Sequence, residues 1–199
     1  MFIALEGIDS SGKTLQCKLL YDYLKKRHKC VLTQEPTDSG PVGIFIKSIL
    51  RGAAKLDSTA FQLLYVADRA DHLQKVILPA LAKGAHVITS RYFFSTIAYG
   101  SASGVDKEWL KAMNSRFPLP EITFIIDMDV DSAMERKRQQ RLRQNAQPDL
   151  FESQLKLMRA VRKIYLELAS EYPNCQIVDG NQSTENIHKE IIRVLEKHL

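Results

Sequence analysis

At 199 residues, 45% of them hydrophobic, the chain holds enough apolar material for one sizeable core and sits near the upper end of single-domain lengths. Its 28 Lys and Arg against 23 Asp and Glu leave a net charge of +5, which suits nucleic acid or a ligand with several phosphates and does not separate them. Cys17, Cys30 and Cys175 have no metal-ligand spacing and predict reduced thiols. No apolar run approaches the roughly 20 residues that span a bilayer, and Met1 leads straight into FIALEG without a basic leader. A soluble, unprocessed cytoplasmic protein is expected.

Phe2 to Leu5 is the first of five short apolar runs rich in β-branched residues; the others are Cys30 to Thr33, His86 to Thr89, Ile122 to Ile126 and Gln176 to Val178. Helical spacing separates them. Leu15, Leu19 and Tyr23 follow the first run, and a long pattern from Phe61 to Leu81 precedes the third. Phe151, Leu155, Met158, Val161, Tyr165 and Leu168 precede the fifth, and Ile187 to Leu195, capped by Ser183, closes the chain. Strands that alternate with helices and are apolar on both faces predict an α/β fold: three layers, with a five-stranded parallel sheet covered by helices on both sides.

Between the first strand and the first helix, Gly7-Ile8-Asp9-Ser10-Ser11-Gly12-Lys13-Thr14 fits G-x-x-x-x-G-K-[ST]. Its glycines let successive backbone N–H groups face one anion, and the helix N-terminus adds partial positive charge. Lys13 is placed to reach the outer phosphates of a nucleoside triphosphate, and Thr14 offers a hydroxyl to Mg²⁺. The loop predicts ATP or a similar donor but not the acceptor, because GTPases, helicase-type ATPases and small-molecule kinases share it.

Four further segments place charge for a second phosphate: Glu35-Pro36-Thr37, the pair Lys47 and Arg51 one helical turn apart, Tyr65 to Arg69, and Ser90-Arg91-Tyr92. Glu35 and Arg91 fall at strand C-terminal ends, where open α/β sheets bind ligands. Taken singly, each has a plainer reading, as surface cation, core aromatic or helix-face ion pair.

In order, these segments resemble the thymidylate kinase family over nearly the whole chain. FIALEGIDSSGKT is similar to its phosphate loop, EPTDSG to its EP segment, GIFIKSIL to its monophosphate-binding helix and LLYVADRADH to its nucleobase helix. SRYFFSTIAYGS resembles its DRY-x-x-S-x-x-AY stretch, and DLFESQLKLMRAVRKIYLELA the helix after its lid. The resemblance implies that Asp9 holds the sugar 3′-hydroxyl of dTMP and Arg69 the thymine edge, while Arg91 and Lys47 clamp the acceptor phosphate. It further implies that Tyr65 stacks on the base, that Ser95 lies near it, and that Tyr99 crowds the place of a 2′-hydroxyl. A homodimer is implied as well.

The chain departs from the pattern twice, with Ser90 where the family has an acid and Ser10 where several members carry a loop arginine. Family members lacking that arginine carry basic lid residues instead. Here Glu135 to Arg143, ERKRQQRLR, supplies Arg136, Arg138, Arg141 and Arg143 within a lid expected at about 135–149. At least one of these is expected to reach the transferring phosphoryl group, and Ser90 to serve the Mg²⁺ on Thr14 through water. The expected partners are ATP and dTMP, with neither nucleic acid nor membrane. Two other readings stay open: a kinase for another nucleotide or a nucleoside, with Glu35 as base, and a non-enzymatic nucleotide-binding module.

Overall fold

The computed structural model describes residues 1–143 and 151–199; side chains 140, 141, 143 and 151–153 lie outside the description. Five strands, β1 (Phe2–Glu6), β2 (Cys30–Gln34), β3 (His86–Ser90), β4 (Ile122–Asp127) and β5 (Cys175–Asp179), lie in the order β2-β3-β1-β4-β5, all parallel. Each predicted apolar run is one or two residues longer than its pattern showed. The ladder carries on into polar residues, with Gln34 opposite Ser90 and Glu6 opposite Ile125. Carboxylates and hydroxyls therefore gather at the C-terminal edge, around the reversal of strand order at β1.

Alternation along β1 sends Phe2 and Ala4 to one face and Ile3 and Leu5 to the other. The first face packs under α5 (Phe93–Ala102) and α8 (Phe151–Glu171) through Phe94, Ile97, Val161, Tyr165 and Leu168. The second packs under α1 (Lys13–Leu24) and α9 (Thr184–Leu195) through Leu20, Leu24, Ile187 and Ile191. The expected three layers are present. Ser183 caps α9, its side chain accepting from Asn186 N–H at 3.2 Å.

The remaining helices are α2 (Pro41–Leu50), α3 (Ser58–His72), α4 (Leu78–Ala82), α6 (Lys107–Asn114) and α7 (Val130–Arg143). The pattern from Phe61 to Leu81 is interrupted by a π turn at Leu73–Ile77, where Leu78 N–H reaches back five residues to Leu73. Pro79, which has no N–H, stands at the start of the helix that follows. α5 is apolar nearly all round because it is buried on most sides, so it shows no amphipathic stripe in the sequence. Among the described residues no helix is long and apolar enough to cross a membrane, and all three cysteines are free.

Candidate active site

β1 ends in the phosphate loop. Gly7 has φ 140°, and a Cβ there would stand 2.6 Å from the Ile126 carbonyl oxygen, so no other residue fits. Ser10 is left-handed at φ 62°, and α1 begins after Gly12 with no side-chain cap. The first-turn N–H groups of α1 are thereby left for a ligand. They border a cavity of about 700 Å³ lined by Ser10, Gly12, Lys13, Thr14, Arg136 and Thr184. Lys13 is not the exposed side chain that its motif suggests. It is 6% accessible and donates to the Ile8 carbonyl at 2.6 Å. Burial, reinforced by Arg91, pushes its pKa down to about 7.

Across the sheet edge, β3 runs into Arg91, a non-glycine residue at φ 71°. Such backbone strain persists only where the surroundings enforce it. Glu6 does so: its buried carboxylate accepts from Tyr92 N–H (2.8 Å), Ser95 N–H (3.2 Å), the Ser95 hydroxyl (2.6 Å) and Tyr165 (3.0 Å). Burial raises its pKa even so. The turn aims the Arg91 guanidinium at Asp9 (2.5 Å), with further donation to Gly7 O (3.1 Å), Ser95 Oγ (3.0 Å) and Tyr99 (3.3 Å). Tyr99 also takes Asp9 N–H at 3.2 Å and lies 5.1 Å beneath the guanidinium. Burial works against the Asp9 carboxylate, but Arg91, Lys13 and Lys137 outweigh it and hold its pKa below the usual value.

The strand-end acid Glu35, joined to Pro36 by a cis peptide, belongs to a buried chain of polar groups. Its carboxylate takes Arg69 at 2.6 Å and His72 at 3.2 Å, and His72 meets Thr33 at 2.6 Å. Arg69 also donates to Asn114 (2.6 Å) and Thr96 (3.0 Å), with the Tyr92 ring 5.1 Å away. Arg69 and Glu35 are 1% and 2% exposed at the side chain. Arg69, which the family resemblance implies holds the thymine edge, is thus buried and paired within the chain itself. Glu35, already held by the Arg69 guanidinium and the His72 ring, is poorly placed as a general base.

Asp68 does not pair with Arg69. It accepts from the Thr37 N–H (2.8 Å) and hydroxyl (2.6 Å). α2 closes on that turn so tightly that a Cβ at Gly43 would meet Thr37 O at 2.3 Å. Lys47 pairs with Asp38, whereas Arg51 is exposed at the C-cap of α2 and does not line the loop cavity. Half-buried Tyr65 stands edge-on to Phe61 at 5.1 Å; burial pushes its pKa up to about 12, and it feels the charges of Arg91 and Asp9.

Residues 5–191 match the family model described as thymidylate kinase. A probable thymidylate kinase of Thermococcus kodakarensis is 40% identical over 98% of this chain and 97% of its own length. One from Pyrococcus horikoshii is 39% identical over 100% and 97%. A crystal structure of thymidylate kinase from Ehrlichia chaffeensis superposes with a TM-score of 0.77 at 31% identity, covering 98% of each chain. This chain belongs to the thymidylate kinase family. Membership makes it a phosphotransferase, and the family's reaction is ATP-dependent phosphorylation of dTMP to dTDP.

The cations of the expected lid divide by helix rotation. Arg136 and Gln139 face the phosphate-loop cavity. Arg138 turns outward onto Glu135 at 2.8 and 3.1 Å, and its side chain is 59% exposed. Lys137, which nothing in the sequence marks out from its basic neighbours, reaches inward, its ammonium 3.8 Å from Asp9 and 3.2 Å from Gln154. The side chains of Arg141 and Arg143, and residues 144–149 of the expected lid, lie outside the described residues. Arg136→Ala is expected to lower kcat at least about tenfold with little change in KM, and Arg138→Ala to leave both near wild type. Steady-state kinetics of the two variants decide it; equal effects would remove the distinction.

Besides Lys137, the sequence did not single out Tyr165, Thr96 or Asn114. Tyr165 reads as one more apolar position of α8, and only its hydroxyl, delivered to Glu6 by the packing, distinguishes it.

The residues at the loop fit a magnesium ion of the kind that nucleotides bring. Thr14 is exposed at the mouth of two cavities, the loop cavity and a second lined by Ser90, Cys17, Thr37 and Asp38. Among the described residues no cluster of three or more His, Cys, Asp or Glu could hold a metal alone. Mg²⁺ keeps several waters and binds through phosphates and one or two protein oxygens, and the exposed Thr14 hydroxyl is an oxygen of that kind. Ser90 is 9% exposed and within hydrogen-bonding reach of the Cys17 thiol.

Proposed function

We propose that the chain works as a single phosphate-loop kinase domain with a lid at 135–149, and that it catalyses ATP + dTMP to ADP + dTDP in the cytoplasm. The observation that carries the assignment of residues is the strained Arg91, held by the Glu6 turn facing the phosphate loop, with Asp9 in its grip. A site whose cation is paired internally, at an edge shared with a triphosphate loop, suits an anionic acceptor.

Residues 7–14 bind the ATP phosphates, and Lys13 and Arg136 neutralise charge on the transferring group. Arg91 and Lys47 hold the acceptor phosphate; Tyr65 stacks on the base, and Ser95 and Tyr99 shape the sugar side with Asp9. Arg69 and Glu35 with Pro36 form the floor behind the base, and Arg51 adds only distant charge. Arg141 and Arg143 remain candidates for the same lid role as Arg136. An oxygen of the acceptor phosphate attacks the γ-phosphorus in line as the bond to the ADP oxygen breaks, and that anionic nucleophile needs no strong base. Mg²⁺, held at Thr14 with Ser90 near its waters, would screen the phosphate charge. Exposed Ile44 and Phe45 on α2 and Leu63 on α3 support a homodimer through these helices.

The test is a coupled ADP-release assay across dTMP, dUMP, UMP and CMP. The highest kcat/KM is expected with dTMP. Preference for another monophosphate, or no release with any, would overturn the assignment.

A further inference from the structure

The second cavity, about 330 Å³, opens beside the phosphate loop at the ends of β2 and β3. Thr14 borders it as well as the loop cavity, so a cation held by Thr14 would lie where the two meet. Ser90 ends β3 there without a charge. The two nearby strand-end acids are committed elsewhere, Glu6 to four donors and Glu35 to Arg69 and His72. Among the described residues lining the cavity, Asp38 alone carries a carboxylate.

Asp38 is paired with Lys47, as Asp9 is paired with Arg91. Both cations assigned to the acceptor phosphate therefore carry a carboxylate of the chain itself. The Asp38 side chain is 75% exposed and that of Lys47 20%, so water reaches the carboxylate and weakens the pair. A phosphate dianion arriving at Lys47 would displace the Asp38 carboxylate and repel it, and a cation at Thr14 would attract it.

Resting on the functional reading above, we propose that Asp38 is the carboxylate that serves the water shell of Mg²⁺ at Thr14, released to do so when the acceptor phosphate takes Lys47. Ser90 contributes a hydroxyl to the same water shell, and Asp38 contributes the charge. Acceptor binding and metal binding are thereby coupled, each tightening the other.

The test uses the full chain with ADP and Mn²⁺ as probe, free Mn²⁺ being followed by electron paramagnetic resonance with and without dTMP. Carboxylates that hold a metal's waters typically contribute roughly 10- to 100-fold to its affinity. In the wild type, dTMP is expected to tighten Mn²⁺ at least about tenfold. In Asp38→Asn that gain should fall below about twofold while dTMP still binds, and adding Ser90→Asp to the same variant should restore it. A full gain in Asp38→Asn, or no gain in a wild type that binds dTMP, overturns the role of Asp38 alone. A wild type that fails to bind dTMP overturns the functional reading together with it.

Discussion

Lys13→Ala is expected to lower kcat by about 10²- to 10³-fold, the usual loss when one preorganised charge is withdrawn from a developing anion. The fold should not suffer. The ammonium is buried against an ordinary carbonyl and an Oγ 3.4 Å away, and its pKa is driven down to about 7, so the folded state holds the charge at some cost. Thermal denaturation should show a melting temperature equal to the wild type or slightly higher.

The same depressed pKa predicts a proton balance. Near pH 8 free Lys13 is mostly neutral, and anionic phosphates beside it restore its usual, higher pKa. ATP binding should therefore take up a proton in the wild type and none in Lys13→Ala, as read by calorimetry in two buffers of different ionisation enthalpy. A variant with kcat within tenfold of wild type would remove the loop lysine from the mechanism.

Arg69→Ala should produce the largest loss of stability. It leaves the Glu35 carboxylate, 2% exposed, facing only His72, and it strips Asn114 and Thr96 of a donor. Breaking one side of a buried ion pair costs about 3–5 kcal/mol. In a chain of this size that corresponds to a fall in Tm of roughly 6–20 °C. Removing Glu35 as well should recover part of the loss, because the uncompensated charge goes with it. Denaturant unfolding of the two single variants and the double one measures this. A change below about 1 kcal/mol in Arg69→Ala would mean that the pair with Glu35 does not hold this part of the fold.

Much of the fold was legible because its signals are local. The strand patterns and the loop motif depend on residues within a few positions of each other, and all five strands appeared where their apolar runs lay. The π turn was masked, since Phe61 to Leu81 keeps a helical rhythm through a widened turn. The lid was harder for a different reason. ERKRQQRLR is polar except for Leu142, so no apolar stripe fixes which way the helix rolls. Arg138 and Lys137 look alike in sequence, yet packing turns one to solvent and the other to Asp9.

The sequence by itself determined the phosphate loop, the parallel sheet and the set of charged residues available at its edge. Periodicity and turn chemistry act over one or two turns of chain, and they suffice for these. Only the tertiary structure decided the pairings: Arg91 with Asp9, Arg69 with Glu35, Lys47 with Asp38, and Glu6 with the turn that strains Arg91. Apart from the nearby Lys47 and Asp38, these partners are 34 to 86 residues apart. Which carboxylate a cation takes at such separation follows from the strand order and from which side chains are shut away from water. Neither leaves a mark on local spacing.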